Sequence, residues 1–272
     1  MLESNIIIPI KKARPLSLSI IMPAIRPEQW VGVVRSIEGA YSSKWELIIV
    51  SPYPLPEELQ NDRRVKYVRD FGNPVRASNI AASLCEYDLV TWTADDAVYL
   101  PDSLDGMVNT FNCMAEDKAK VVVAKYYEGQ DGTKKPLQDD KYFTVNGAMN
   151  PSLIVPDGYW LFNVALMSSG LMRQLGYWDI DFESTWPAHT DMAIRAQDAG
   201  ARVVMCPKPV LDCGHMPGET GDHAPIHHAH ITHDEPHLQN KWGKVTRLAI
   251  ANRAPNCSDW KDTPRVWDRR FK

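Results

Sequence analysis

The chain has 272 residues, of which 44 % are hydrophobic and 24 % charged, with a formal net charge of −4. That length can bury a full core, as one large α/β domain or as one domain with an extension, and the composition excludes a disordered or fibrous chain. The acidic balance excludes a global basic field for nucleic acid or anionic membrane, although the basic, aromatic tail from Lys261 to Lys272 leaves a local one open.

At the N-terminus a short apolar run, Ile6-Ile7-Ile8, is followed and not preceded by Lys11 and Lys12. It is too short and in the wrong order for a signal peptide or a membrane span, so no membrane insertion is expected. The five cysteines (Cys85, Cys113, Cys206, Cys213, Cys257) are odd in number, and no pair is spaced Cys-x-x-Cys. Reduced thiols in a cytoplasmic protein fit this better than a disulfide framework.

The first hundred residues alternate strand and helix. Leu16 to Pro23 reads as a strand ended by proline. Pro27 sits at a helix start, where its missing N–H costs nothing, and Trp30, Val33, Val34 and Ile37 recur at helical spacing. Glu46–Val50 is a second buried strand, closed by the proline-rich turn from Ser51 to Pro56, and Val65–Val68 is a short third. Asn73-Pro74 opens a helix with Ile80, Ala81 and Leu84 on its apolar positions, and Asp88–Trp92 is the fourth strand. Near-continuous apolar strands between helices predict a mostly parallel, twisted sheet with helices on both faces.

A helix over about 103–116 and a strand over 120–127 follow. Residues 128–157 are polar, a connection long enough to be a functional lid or a disordered segment. The chain resumes with Tyr159 to Leu166, a helical piece through Arg173, a helix over about 188–200 and a strand over 201–206. Seven of the eight histidines fall in the last sixty residues. There is no internal repeat. The expected division is an α/β domain over 1–210 and an irregular, histidine-rich extension over 211–272 packed on it.

The fourth strand ends in Thr93-Ala94-Asp95-Asp96. In open α/β sheets ligands gather at the carboxyl ends of the strands, where two acids can hold a divalent cation against a phosphate. The same dipeptide also reads as a solvated turn capping the next helix.

The order of these pieces resembles the GT-A-fold glycosyltransferases of the large inverting group often called family 2, over roughly residues 16–243. Ser19 to Arg26 is similar to the family's first strand and nucleotide-contacting turn, and Arg76-Ala77-Ser78-Asn79 to the helix whose arginine and asparagine face the nucleotide. Thr93-Ala94-Asp95-Asp96, with Leu100-Pro101 downstream, lies where the family places its Asp-x-Asp motif. Thr190-Asp191 followed by Arg195 and Ala199-Gly200 resembles the Glu-Asp helix, and Lys241-Trp242-Gly243 a C-terminal element of many members. The chain departs from the pattern at Thr93, at Ser51-Pro52 (where an acid usually reads the uracil ring) and at Thr190.

The resemblance implies transfer of a sugar from a nucleoside-diphosphate sugar, a UDP-sugar foremost, to a hydroxyl acceptor with inversion, assisted by Mn²⁺ or Mg²⁺. It implies donor contacts at Pro23, Ala24, Arg26, Ser51, Arg76, Thr93, Ala94, Asp95 and Lys241. Asp95, Asp96 and His215 would be metal ligands, with Asp191 as the base. Asp191 also reads as a helix residue paired with Arg195 one turn on. Trp160, Trp178 and Trp186 are candidate acceptor contacts, each also readable as core. The acceptor is a saccharide or another hydroxyl compound, nucleic acid entering only as a hydroxylated base.

Two rival chemistries stand beside this. His223, His227, His228, His230, His233 and His237 crowd into fifteen residues, and His228-Ala229-His230-Ile231-Thr232-His233-Asp234 invites comparison with zinc hydrolases. Histidine there precedes aspartate, unlike the hydrolase signature; the bland reading is a solvated loop closing over the donor, one histidine reaching the metal or pyrophosphate. A sugar-nucleotide nucleotidyltransferase would want a glycine-rich loop after the first strand, and Met22 to Pro27 has no glycine.

Overall fold

The computed structural model describes residues 16–129, 159–214, 221–242 and 260–271. In chain order the elements are β1 (Leu18–Pro23), α1 (Pro27–Ala40), β2 (Trp45–Ser51), β3 (Val65–Arg69), α2 (Pro74–Ser83), β4 (Leu89–Trp92), β5 (Ala97–Tyr99) and α3 (Ser103–Cys113). Then come β6 (Lys120–Glu128), β7 (Ala165–Ser168), α4 (Ser169–Gln174), α5 (Thr185–Asp198) and β8 (Arg202–Cys213). The C-terminal part adds α6 (Ala224–Ala229), a π-helical turn (His230–Asp234), α7 (Glu235–Trp242) and a short α8 (Asp268–Phe271).

All eight strands form one sheet in the order β3-β2-β1-β4-β7-β6-β8-β5. Strands β3, β2, β1 and β4 are parallel, which explains their unbroken apolar runs: with helices packed on the sheet, every residue of β2 is buried. Asn73 caps α2 by accepting the Arg76 N–H at 2.7 Å, and Pro27 and Pro74 stand in the first turns of their helices, as the sequence predicts. The expected α/β class holds.

The second half departs from the expected parallel pattern. β7 runs antiparallel to both β4 and β6, and β5 antiparallel to β8. The strand after the long connection begins only at Ala165, and Leu84 is the exposed C-cap of α2 instead of a core position. β8 runs through residues 210 and 211, so the chain leaves the sheet only after Cys213. The polar connection lies outside the described residues from 130 to 158. Among the described residues the four cysteines are free and no helix is long and apolar enough to cross a membrane.

β2 lies on one side of β1 and β4 on the other, so the order of the chain switches at β1. Pro23 pairs with Val50 and Ile21 with Trp92, so these strands end nearly level. A crevice outside the carboxyl ends of parallel strands at such a switch is where this architecture takes ligands.

Candidate active site

A cavity of about 410 Å³ opens at that place. The turn after β1 supplies Pro23, Ala24, Ile25 and Arg26 to its wall, and the segment after β4 supplies Thr93, Ala94, Asp95 and Asp96. Pro52, Asp70 and Gly72 also line it, as do Asn163, Trp186 and His189. His223 and the C-terminal residues Trp267, Arg270 and Phe271 complete it, so the extension builds part of the site. At Gly72 a Cβ would lie 2.2 Å from Arg76 Cδ, so any larger residue there would displace the Arg76 side chain.

The two adjacent aspartates do different work. Asp95 is 2 % exposed; its Oδ2 accepts the N–H groups of Ile25 and Arg26, each at 2.6 Å, and its Oδ1 accepts Arg26 Nη1 at 2.6 Å. Charge-assisted bonds of this length to a buried carboxylate are strong, and they leave Asp95 little capacity to ligate anything else. Asp96 is the carboxylate that faces the other charges. Its Oδ2 lies 3.9 Å from Arg26 Nη1 and 3.9 Å from His223 Nε2. Asp222 Oδ2 is 3.3 Å from Arg26 Nε, and Arg270 Nη2 donates to the Asp222 carbonyl at 2.5 Å. Burial lowers the pKa of the Arg270 guanidinium, opposed by Asp222.

Other expected donor contacts lie elsewhere. Ser51 is buried below the cavity, its hydroxyl accepting the Tyr53 N–H at 3.1 Å, and Pro52 faces the space instead. Arg76 does not line the cavity. Its guanidinium is paired with Asp70 at 2.9 Å and donates to the carbonyls of Trp260 and Thr263, tying the C-terminal segment to the start of α2. Lys241 is likewise off the cavity, bonded to Asp179 and, at 2.7 Å, to Asp191.

Asp191 is fully buried and does not line the cavity. It accepts Arg195 Nε at 2.7 Å and Trp242 Nε1 at 2.8 Å besides Lys241. Burial by itself would raise its pKa, but Arg195 and Lys241 hold it below the usual carboxylate range. The structural reading, a helix residue paired one turn on, is the one its surroundings match.

Of the three candidate acceptor tryptophans, Trp160, Trp178 and Trp186, only Trp186 lines the cavity. Trp178 is core, edge-on to Trp92 with centroids 5.2 Å apart, and Trp160 is 39 % exposed outside it. His215 lies outside the described residues. His189, which sequence reasoning passed over, is 5 % exposed on the cavity wall; its Nδ1 lies 2.8 Å from Asn163 Oδ1, and burial lowers its pKa to about 3. The one signal for it was a histidine standing apart from the C-terminal cluster.

The histidines of that cluster are dispersed over separate tasks. His228 Nδ1 meets Arg269, His233 Nδ1 meets Asp234, His230 packs edge-on to Trp186, and His237 to Phe182. Asp234 is buried and accepts the N–H groups of Glu183 and Ser184 at the start of α5, docking the histidine-rich segment on that helix. Among the described residues one group of three could hold a metal ion: Asp179, Asp181 and His237, with ligand atoms within 4.8 Å of one another. It contains one member of the cluster and lies off the cavity.

No protein-family model and no curated protein matches the chain. Solved structures do. The fold is shared with TarS. The S. aureus TarS 1–349 structure superimposes with a TM-score of 0.54 at 14 % identity, over 82 % of this chain and 68 % of that one. TarS 1–349 in complex with UDP gives 0.53 at 14 % identity over 82 % and 69 %. The UDP-GlcNAc complex of TarS 1–349 gives 0.54 at 13 % identity over 82 % and 70 %. The likeness carries the GT-A-like architecture expected from the sequence.

Two substitutions test these placements. Asp191→Asn strands Lys241 and Arg195 beside a neutral amide, and breaking such a buried pair costs roughly 3–5 kcal/mol in urea unfolding at pH 7. The folded pKa of Asp191 is depressed, so this stability is present above the unfolded carboxylate value near 4 and fades as pH falls through the folded one. The gap between parent and variant therefore narrows in acid; a gap that stays constant would remove the ion-pair role. Arg76→Ala should free the C-terminal segment, seen as faster amide exchange over 260–271 with other segments little changed.

Proposed function

We propose that the protein transfers a sugar from a nucleoside-diphosphate sugar, with a UDP-sugar as first choice, to a hydroxyl acceptor. The observation that carries this reading is the charged cavity at the switch point of a TarS-like fold, where Arg26, Asp96, His223 and Arg270 converge. The solved complexes of TarS with UDP and UDP-GlcNAc support the choice of donor.

The donor's diphosphate would lie over the β1–α1 turn, near the N-terminus of α1, where the helix dipole and Arg26 favour negative charge. Arg26 and Arg270 stand there against Asp95, Asp96 and Asp222, so the protein alone brings more negative than positive charge to the place. A diphosphate adds more, and the donor set therefore fits a divalent cation. Asp96 Oδ2 and His223 Nε2, 3.9 Å apart, would both reach one ion once drawn a few tenths of an ångström together, to the spacing of adjacent ligands. Asp95 is excluded from that set by its bonds to Arg26 and the turn. Mn²⁺ suits a mixed carboxylate and imidazole pair better than Mg²⁺ does. When bound, the ion would neutralise charge developing on the leaving diphosphate.

The chain's own groups do the rest. Arg26 orients the diphosphate, Pro52 and the aromatic residues Trp267 and Phe271 wall the cavity against water, and Trp186 offers an apolar face to a sugar or acceptor. A single displacement by the acceptor hydroxyl inverts the anomeric centre.

Thermal shift with UDP and UDP-GlcNAc, with and without Mn²⁺, tests the donor site. Binding at 100 times Kd stabilises by about 2.7 kcal/mol, and no shift with any nucleoside diphosphate plus metal would overturn the reading. Asp96→Asn should keep the parent's melting temperature while losing the Mn²⁺-dependent part of the shift. Asp95→Asn should instead destabilise the free protein by the roughly 3–5 kcal/mol of a broken buried pair, and so lower its melting temperature.

A further inference from the structure

We propose that His189, through Nε2, takes the proton from the acceptor hydroxyl, with Asn163 fixing the imidazole in the tautomer this requires; the proposal rests on the donor reading of the cavity. It differs from the sequence expectation, which gives that task to Asp191. Helix geometry separates the two. Residues two apart on an α-helix point about 200° apart at 3.6 residues per turn. Asp191 is committed to Arg195, Lys241 and Trp242 in the core, so His189 faces the other way. Thr185 and Trp186, one turn before His189, share its face, and both line the cavity with it.

The hydrogen bonds around Asn163 set the tautomer. Its Nδ2 donates to the Tyr126 hydroxyl at 3.2 Å, which leaves Oδ1 to accept from His189 Nδ1–H at 2.8 Å. Its carbonyl is held in turn by Trp92 Nε1 at 2.6 Å. With the proton on Nδ1, Nε2 carries the lone pair. Among the described residues no hydrogen-bond partner meets Nε2. The ring is clamped as well: it stacks on Trp92, centroids 5.3 Å apart and planes 29° apart, and Trp178 closes another side at 6.0 Å. A base held in one orientation by packing and one outer hydrogen bond is the arrangement that proton transfer needs.

Burial keeps the imidazole neutral over the working pH range. Its basicity is near that of the carboxylates that commonly serve as bases, about 4, and a bound diphosphate would raise it further. In the step, the acceptor oxygen bonds the anomeric carbon as the bond from that carbon to the phosphate oxygen breaks. The bonding pair leaves with the diphosphate, the hydroxyl proton goes to Nε2, and the imidazolium returns it to water.

The test has two arms. Nitrogen-15 spectra of the imidazoles in the full chain at pH 7, with His189 assigned by its loss in His189→Asn, should show a neutral ring protonated on Nδ1. A ring protonated on Nε2, or a charged one, overturns the proposal whatever the donor. In the second arm, slow hydrolysis of UDP-GlcNAc is followed with Mn²⁺, water standing in for the acceptor. His189→Asn should lose about 10²–10⁴-fold in this rate while UDP binding by calorimetry is unchanged. Glu128→Gln, at a wall carboxylate to which the proposal gives no part, should hydrolyse as the parent does. Parent-like hydrolysis by His189→Asn sinks the proposal, whereas a parent chain that binds no UDP sinks the donor reading and leaves the tautomer arm to decide the residue.

Discussion

The site depends on the carboxylate of Asp95. The turn from β1 into α1 carries Arg26 to the cavity, and Arg26, the N-cap residue of α1, makes no side-chain capping bond to its own helix. Asp95 supplies what is missing from the far side of the strand pair. One oxygen gathers two backbone N–H groups of the turn and the other fixes the guanidinium. A buried anion beside the start of a helix is favoured by the dipole as well as by the hydrogen bonds. The end of β4 and the beginning of α1 are thus one rigid piece, and Asp96 is left at the cavity edge with its neighbours placed for it.

The same economy of buried charge holds the extension on. Arg76 with Asp70 binds the carbonyls of Trp260 and Thr263, Trp267 N–H donates to the Phe71 carbonyl, and Arg269 pairs with Glu183. Asp234 binds Glu183 and Ser184, which lead into α5. Each contact joins residues far apart in the chain. Arg76, Lys241 and Asp191 therefore act as fasteners behind the site, and the residues they fasten (His189, Trp267, Arg270, Phe271) form its wall. Loss of a fastener should blunt function indirectly, through the position of the wall.

The parallel half was legible because its signals are local. Continuous apolar runs, prolines at helix starts and the Asn73 cap each specify their element within a few residues, and strands β1 to β4 lie where those signals put them. The antiparallel β7 was not legible. Strand direction there depends on the path of a long connection, and a four-residue apolar run reads the same either way. At the site, the Asp95-Asp96 pair and Arg26 were legible as chemistry. Their division of labour was not, because it rests on backbone N–H groups of a turn seventy residues earlier in the chain.

The sequence by itself determined the α/β class, the strand-end position of the acidic pair and the helix that carries both His189 and Asp191, since composition, periodicity and capping are properties of neighbouring residues. Only the tertiary structure decided which partners hold each member of the two pairs, Asp95 with Asp96 and Asp191 with His189. Asp95 is held by N–H groups and a guanidinium from the β1–α1 turn, and Asp191 by Arg195 one turn on and by Lys241 and Trp242 from α7, because a buried carboxylate must be neutralised where it lies. Asp96, 3.9 Å from Arg26 and from His223, and His189, on the face of α5 opposite Asp191, both stand on the cavity wall.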